Sequence, residues 1–197
     1  MQPELLFHQP PVADPVADRS TPEVVNHILD LSAIKPGDRV LDLGTGNGLL
    51  LPYLTERVGS EGSVTGVDFS PVRLSRAMEV ALKLKPVPTL AFGNVESDFI
   101  PGDYDVVMLY GIYAHLMHKA ATLRRIFARN VAHNGGRMII AFPGDKEFVN
   151  SLESDKRWPK DMIPAPADLV ASLTRMQFDA RVLEDSDQAY VIEIKKS

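Results

Sequence analysis

Two spacings of apolar residues alternate along the chain, and they predict a fold in which strands and helices take turns. Apolar runs typical of buried strands occur at residues 39–43, 63–68, 89–92, 104–109 and 137–142. Before and between them, apolar residues recur every three or four positions, which predicts helices at 21–33, 47–58, 71–85 and 118–131. This order implies right-handed crossovers and a doubly wound α/β fold, with a mostly parallel sheet and helices on both faces.

The C-terminal part departs from this alternation. A helix is predicted at residues 167–176, and two strands follow it at 178–184 and 188–195. The link between these strands, Asp185-Ser186-Asp187, is too short for a parallel crossover. We therefore expect a seven-stranded sheet whose last strand is antiparallel.

The remaining segments show neither spacing. Residues 1–20 are rich in proline and are predicted to form an extended N-terminal arm, whereas residues 21–197 are predicted to form a single domain. Within that domain, residues 143–164 are polar and punctuated by proline, so a loop is expected there. The first twenty residues contain no unbroken apolar core and match neither a signal peptide nor a membrane span. A cytoplasmic location without membrane attachment is expected.

Composition removes several kinds of chemistry. The 197 residues include no cysteine, which excludes a disulfide framework, a thiolate zinc site, a cysteine nucleophile and an iron–sulfur cluster. The formal net charge of −5 argues against general nucleic-acid binding, because contact with phosphates needs a positive surface.

Candidate chemistry centres on the sequence VLDLGTGNG at residues 40–48. The apolar residues of a strand lead into Gly44, Gly46 and Gly48, and an apolar helical stripe starts directly afterwards. Glycines at such a turn let the main chain touch a ligand, and the first amides of the helix are free to donate. Asp68 ends the next strand, where a carboxylate can accept hydrogen bonds from a ribose diol. An adenosine-containing ligand is therefore expected.

The spacing of the glycines bears on which adenosine ligand binds. Dinucleotide sites use G-x-G-x-x-G, in which the pyrophosphate rests on the helix amides. This chain has G-x-G-x-G, and Asp42 precedes it, where a carboxylate would repel a pyrophosphate and attract an amine or a sulfonium. A nicotinamide-dependent oxidoreductase is thus the less favoured alternative.

Five segments, taken in order, carry a resemblance to a known family. They are VLDLGTGNG, GVDFS at 66–70, GNVES at 93–97, YDVVML at 104–109 and NGGRMIIAF at 134–142. Over residues 24–195 the chain resembles the small, single-domain, Rossmann-like class I S-adenosylmethionine-dependent methyltransferases. The resemblance implies the strand order 3-2-1-4-5-7-6, S-adenosylmethionine as cofactor, S-adenosylhomocysteine as product and a small-molecule acceptor. It also implies a monomer or homodimer, a lid built from the arm, and a substrate-side position for residues 143–164.

The resemblance assigns cofactor-binding residues as well. Asp42 would face the methionine ammonium, Asp68 would bind the ribose hydroxyls and Phe69 would pack on the adenine. Asn94 stands where the family often has an aspartate, and its amide oxygen can still accept from an exocyclic amine. The glycine turn, the adenine edge and the turn after the fourth strand supply the remaining contacts, which are Gly44, Thr45, Gly46, Asn47, Gly48, Asn94, Val95, Glu96, Leu109 and Tyr110.

The acceptor side is defined by fewer residues. Methyl transfer requires mainly that a nucleophile be placed behind the methyl group, and it requires a general base only when the acceptor arrives protonated. His115 is the candidate base because imidazole titrates near neutral pH, and Tyr113 is a second catalytic candidate. The side chains expected to line the acceptor are Phe7, His8, Tyr110, Tyr113, Trp158 and Met162.

Two further points limit the chemistry. No acid ends the fourth strand, which disfavours the magnesium-dependent catechol type of methyltransferase, and no metal ion is expected. Motifs establish a pocket and a fold but not turnover, so a non-catalytic or regulatory S-adenosylmethionine-binding protein on the same fold stays open as an alternative.

Overall fold

Seven strands form one sheet in the computed structural model, which describes residues 15–152 and 163–196. The sheet order is β3-β2-β1-β4-β5-β7-β6, and β7 runs antiparallel to both of its neighbours while the first five strands are parallel. The predicted fold class, strand order and antiparallel last strand are confirmed. The strands are β1 (Arg39–Leu43), β2 (Ser63–Asp68), β3 (Thr89–Phe92), β4 (Val106–Tyr110), β5 (Arg137–Phe142), β6 (Asp179–Asp185) and β7 (Tyr190–Lys195).

Seven helices precede, connect and cover these strands in the described part of the chain. A 3-10 turn, Tyr113–His115, follows β4. The helices are α1 (Pro15–Arg19), α2 (Pro22–Leu31), α3 (Leu51–Val58), α4 (Pro71–Ala81), α5 (Lys119–Asn130), α6 (Lys146–Leu152) and α7 (Pro166–Arg175).

The strand side chains alternate between two hydrophobic cores, one on each face of the sheet. In β4, Val107 and Leu109 pack into a core shared with α5 and α7, whereas Val106 and Met108 pack into a core shared with α2, α3 and α4. All four side chains are fully buried, as expected of a strand covered on both faces. This double covering makes the centre of the sheet a rigid platform for the loops at its ends.

The helix after the glycine turn begins later than the sequence pattern predicts. Residues 47–50 are not part of α3, which starts at Leu51. The reason is Gly48, whose φ of +85° is incompatible with a right-handed helix, and whose amide donates to the Thr45 carbonyl at 2.9 Å. The turn is therefore longer than the sequence pattern predicts.

Two segments predicted to lack helices contain short ones. Pro15–Arg19 forms α1, so the prediction of extended chain is wrong for these residues. Lys146–Leu152 forms α6 within the predicted loop at 143–164, because Asp145 Oδ1 accepts a hydrogen bond from the Phe148 amide at 2.8 Å and caps the helix. Such a cap is visible in the sequence once a helix is suspected.

The sheet reverses its order between β1 and β4. In open α/β sheets, a crevice forms at this point beyond the carboxyl ends of the strands. The turn after β1 carries the three glycines, and the segment after β4 carries the 3-10 turn. The topology therefore brings these two segments together at the carboxyl ends of the parallel strands.

Gly62, directly before β2, tests the packing at the amino ends of the parallel strands. A Cβ at this position would lie 2.6 Å from the Asp38 carbonyl oxygen and 2.7 Å from the Val58 carbonyl oxygen, so the backbone would have to move. We expect Gly62→Ala to lower the free energy of unfolding by about 2 kcal/mol, measured by denaturant titration. The control is Gly93→Ala, whose Cβ would meet no atom closer than 3.5 Å. Equal losses in the two variants would contradict this packing.

Candidate active site

The glycine turn has a backbone that only glycines adopt readily. Gly44, Gly46 and Gly48 have φ values of +74°, +56° and +85°. The amide of Gly44 donates to the Val67 carbonyl at 2.7 Å, which fastens the turn to the end of β2. On its other side, Ile112 packs so closely on Gly44 that a side chain there would collide with it. The turn is thus held between β2 and the segment after β4.

Asp68, at the end of β2, joins the glycine turn to the start of α4. Its Oδ2 accepts from the Gly46 amide at 2.9 Å, and its Oδ1 accepts from the Ser70 amide at 2.8 Å. The side chain is buried, yet each carboxylate oxygen retains capacity for a second hydrogen bond. The carboxylate can therefore hold the turn and accept from a ligand hydroxyl at the same time.

Asp42, at the end of β1, is buried without full compensation. Its Oδ2 and the Thr45 hydroxyl have no hydrogen-bond partner among the described residues. The pKa of Asp42 is raised to about 6, mainly by burial and to a smaller extent by the charge of Asp68, while the nearby Thr45 hydroxyl opposes the rise. An unsatisfied buried carboxylate fits a cationic ligand group such as an ammonium, which would supply the missing donor.

Two adjoining cavities open along the glycine turn. The first, of 490 Å³, lies over Asp42, and we call it the Asp42 cavity. The second, of 590 Å³, lies over Asp68, and we call it the Asp68 cavity. Predicted cofactor residues line both: Asp42, Gly44, Thr45, Gly46, Asn47, Gly48 and Tyr110 line the first, and Gly44, Asp68, Phe69, Asn94, Val95 and Glu96 line the second.

The junction of the two cavities is formed by residues that line both. His115, the predicted base, is one of them, and Gly44 and Ile112 are others. Arg73 also lines both cavities, and the sequence reasoning missed it. Its signal was its place in the first turn of the helix that follows Asp68, next to the glycine turn.

Residues 94–98, which follow β3, are held by hydrogen bonds among themselves and to the start of α5. Asn94 Oδ1 accepts from the Glu96 amide at 2.9 Å, and the Asn94 amide donates to Asp98 Oδ2 at 2.8 Å. Glu96 Oε1 accepts from the His118 amide at 2.7 Å and so caps the start of α5. Phe69 stands across from this segment with 69% of its surface exposed. Its ring is therefore available for contact with a ligand.

Residues of α1, just before α2, line the Asp42 cavity. Val16 and Ala17 line it, and Val16 packs on Gly111 directly after β4. The Ser20 hydroxyl lies 2.7 Å from the Tyr110 hydroxyl and donates to the Val16 carbonyl at 2.6 Å. These contacts hold α1 beside the Asp42 cavity, and a covering role for this segment stays a prediction.

Two predicted site residues are placed elsewhere. Tyr113 is buried in the core and lines neither cavity, and burial raises its pKa to about 12, so its phenol is a poor base at neutral pH. The Leu109 side chain is likewise buried in the core and lines neither cavity, because it points to one face of β4. Phe7, His8, Trp158 and Met162 lie outside the described residues.

Comparison with known proteins agrees with this geometry. A family model described as "Methyltransferase domain" matches residues 34–189, which is most of the chain. The chain belongs to this methyltransferase family. Its fold is that of the class I S-adenosylmethionine-dependent methyltransferases, and the nicotinamide-dependent alternative is set aside.

Individual relatives place the methyltransferase in context. It is 28% identical over 125 residues to the aklanonic acid methyltransferase DauC of Streptomyces sp. (strain C5), covering 59% of this chain and 53% of the relative. It is 35% identical over 107 residues to the ribosomal protein L11 methyltransferase of Thermus thermophilus, covering 54% of this chain and 39% of the relative. The chain thus spans about half the length of these relatives or less.

A solved structure matches the methyltransferase over almost its full length. The crystal structure of a SAM-dependent methyltransferase from Aquifex aeolicus has a TM-score of 0.72 and 22% identity, and the match covers 94% of this chain and 100% of that one. At this identity the likeness establishes the fold. Among the described residues, no helix of the methyltransferase has the length and apolar character to cross a membrane.

The raised pKa of Asp42 predicts a pH-dependent effect of Asp42→Asn. Because the folded protein holds this proton more tightly than the unfolded chain, Asp42 lowers the stability progressively as the pH rises from about 4 to about 6, and the loss stays constant at higher pH. We expect the ligand-free variant to be more stable than the wild type by about 2 kcal/mol at pH 8. The advantage should vanish at pH 4, as measured by denaturant unfolding at both pH values. An advantage independent of pH would contradict the burial of this charge.

Proposed function

We propose that this methyltransferase transfers the methyl group of S-adenosylmethionine to a small-molecule acceptor. The observation that carries the proposal is the pair of buried carboxylates, Asp42 and Asp68, at the floors of two adjoining cavities. One lacks a donor and suits an ammonium, and the other can still accept from hydroxyls. A ligand with an amino-acid end and a ribose fits this pair in one direction only.

The proposed residue roles follow from that direction. Asp42 binds the methionine ammonium, and Asp68 binds the ribose hydroxyls while it keeps its bonds to Gly46 and Ser70. The exposed ring of Phe69 packs on the adenine. Asn94, Val95 and Glu96 border the adenine through their backbone and the side-chain amide of Asn94. Asn94 Oδ1 already accepts from the Glu96 amide and can accept a second hydrogen bond, and Glu96 Oε1 accepts from the amide directly before α5.

The chemistry places modest demands on the protein. When bound, the cofactor supplies a methyl group already activated by a positive sulfur. The chain contributes binding in a fixed orientation, with Val16 and Ala17 of α1 lining the Asp42 cavity. His115 lies at the junction of the cavities, between the amino-acid end and the adenosine end, so it is placed to take a proton from an acceptor that arrives there protonated.

A small-molecule acceptor is proposed from the covering of the site. Val16 and Ala17 add a further wall to the cleft beside the glycine turn, which favours an acceptor that enters it over a large surface that lies across it. DauC is named for aklanonic acid, which is a small molecule, and the relative from Thermus is named for a ribosomal protein, so relatives alone do not decide. The monomeric or dimeric state, the cytoplasmic location and the lack of general nucleic-acid binding stay predictions from the sequence.

Cofactor binding tests the role of Asp68. We expect Asp68→Ala to weaken S-adenosylhomocysteine binding at least about 100-fold, measured by isothermal titration calorimetry, because the ribose and the glycine turn both lose their acceptor. Asp68→Asn keeps one acceptor oxygen for the turn, so its affinity should fall between those of the wild type and Asp68→Ala. Asp179→Ala is the control, since Asp179 is exposed at the amino end of β6, away from the site. Wild-type affinity in Asp68→Ala would overturn the assignment.

Turnover tests the role of His115. Release of S-adenosylhomocysteine is measured with a panel of phenols, carboxylic acids, thiols and amines, and with ribosomal protein L11 as the macromolecular alternative. With an acceptor that reacts, His115→Ala should lower kcat about 100-fold and leave cofactor affinity unchanged. His118→Ala is the matched control, because His118 lines neither cavity. Equal turnover in both variants would remove His115 from the chemistry, and binding without any turnover would favour the regulatory alternative.

A further inference from the structure

Arg73, in α4, contributes a positive charge to the lining of the site. It lies in the first turn of α4, where its amide donates to the Ser70 hydroxyl at 3.3 Å. Its side chain lines both cavities and passes close to Gly46, with Nη1 4.0 Å from the point where a Cβ of Gly46 would lie. Among the described residues that line either cavity, it is the only lysine or arginine.

The charges around Arg73 are otherwise acidic. Asp42 lines the first cavity, and Asp68 and Glu96 line the second. The carboxylate of Asp68 is engaged with two backbone amides, and that of Glu96 is engaged with the start of α5. Within residues 15–152 and 163–196, the guanidinium of Arg73 has no hydrogen bond or ion pair, so its five donors face solvent and the cleft.

The ligand proposed for this cleft carries one group that attracts such a cation. S-adenosylmethionine has a sulfonium, an ammonium and a carboxylate, and a guanidinium repels the first two. Asp42 lies in the same cavity as Arg73 and suits the ammonium. Asp42 and Arg73 line the same cavity and carry opposite charges. They therefore match the ammonium and the carboxylate of a zwitterionic amino-acid end.

We propose that Arg73 binds the carboxylate of the amino-acid end and makes the site selective for that group. The proposal rests on the S-adenosylmethionine binding proposed above. A guanidinium can pair with a carboxylate through two parallel N–H···O bonds, which gives direction as well as charge attraction. Asp42 and Arg73 thus read the two ends of the zwitterion, and Asp68 reads the ribose.

The size of the effect is limited by exposure. Arg73 is an exposed residue, so solvent screens its charge, and a fully desolvated arginine–carboxylate pair is not the right reference. We expect a preference of about tenfold for a ligand with the carboxylate over one without it. If Arg73 is instead a solvated surface charge, removing it will change no such preference.

The test compares two ligands that differ only in the carboxylate. These are S-adenosylhomocysteine and its decarboxylated analogue S-adenosyl-3-thiopropylamine, which keeps the amine, and both are titrated calorimetrically into the full chain. Arg73→Met should weaken the first about tenfold and leave the second unchanged or slightly tighter, so the preference is lost. Arg73→Lys, which keeps the charge but not the fork, should retain part of it. Arg76→Met is the control, because Arg76 is exposed on the same helix and lines neither cavity.

The outcomes separate this proposal from the one beneath it. Equal weakening of both ligands by Arg73→Met, or no weakening of either, overturns the role of Arg73 while cofactor binding stands. Failure of the wild type to bind either ligand overturns both proposals. A preference that Arg76→Met removes as effectively as Arg73→Met would also contradict the proposal, since it would reflect the general charge of α4.

Discussion

The structure of the site depends on the hydrogen bonds of one buried carboxylate. Asp68 accepts from Gly46 on one side and from Ser70 on the other, so it ties the turn after β1 and the start of α4 to the end of β2. The bond from the Gly44 amide to the Val67 carbonyl adds a second attachment of the turn to β2. The positive φ values in the turn cost little free energy because glycine has no Cβ.

Within the part of the chain that the structure describes, the second carboxylate, Asp42, lacks the backbone hydrogen bonds that Asp68 makes. Asp42 is buried at the end of the adjacent strand with one oxygen unsatisfied, and its raised pKa reflects the free energy that this burial requires. A stable sheet centre, covered by helices on both faces, can tolerate such a group. The two acids therefore differ: Asp68 holds the turn through two backbone amides, whereas Asp42 keeps an oxygen that has no donor among the described residues.

Much of this could be predicted from sequence, because the signals are local. The bounds of β1, β2, β3 and β5 follow from apolar runs, and the positions of Asp42 and Asp68 follow from those bounds. What escaped depends on contacts across the chain. The burial of Tyr113 is decided by packing after β4, and the place of Arg73 at the cavity junction is decided by the approach of α4 to the glycine turn.

A crystal structure with bound S-adenosylhomocysteine is the most direct measurement of the central claim. The account predicts one ligand that spans both cavities, with its amine within hydrogen-bond distance of Asp42 and its ribose hydroxyls within that distance of Asp68. The sulfur should lie near the junction where His115 stands, and the space beyond it would give the size of the acceptor. A ligand bound in the reverse direction, or outside the two cavities, would contradict the account.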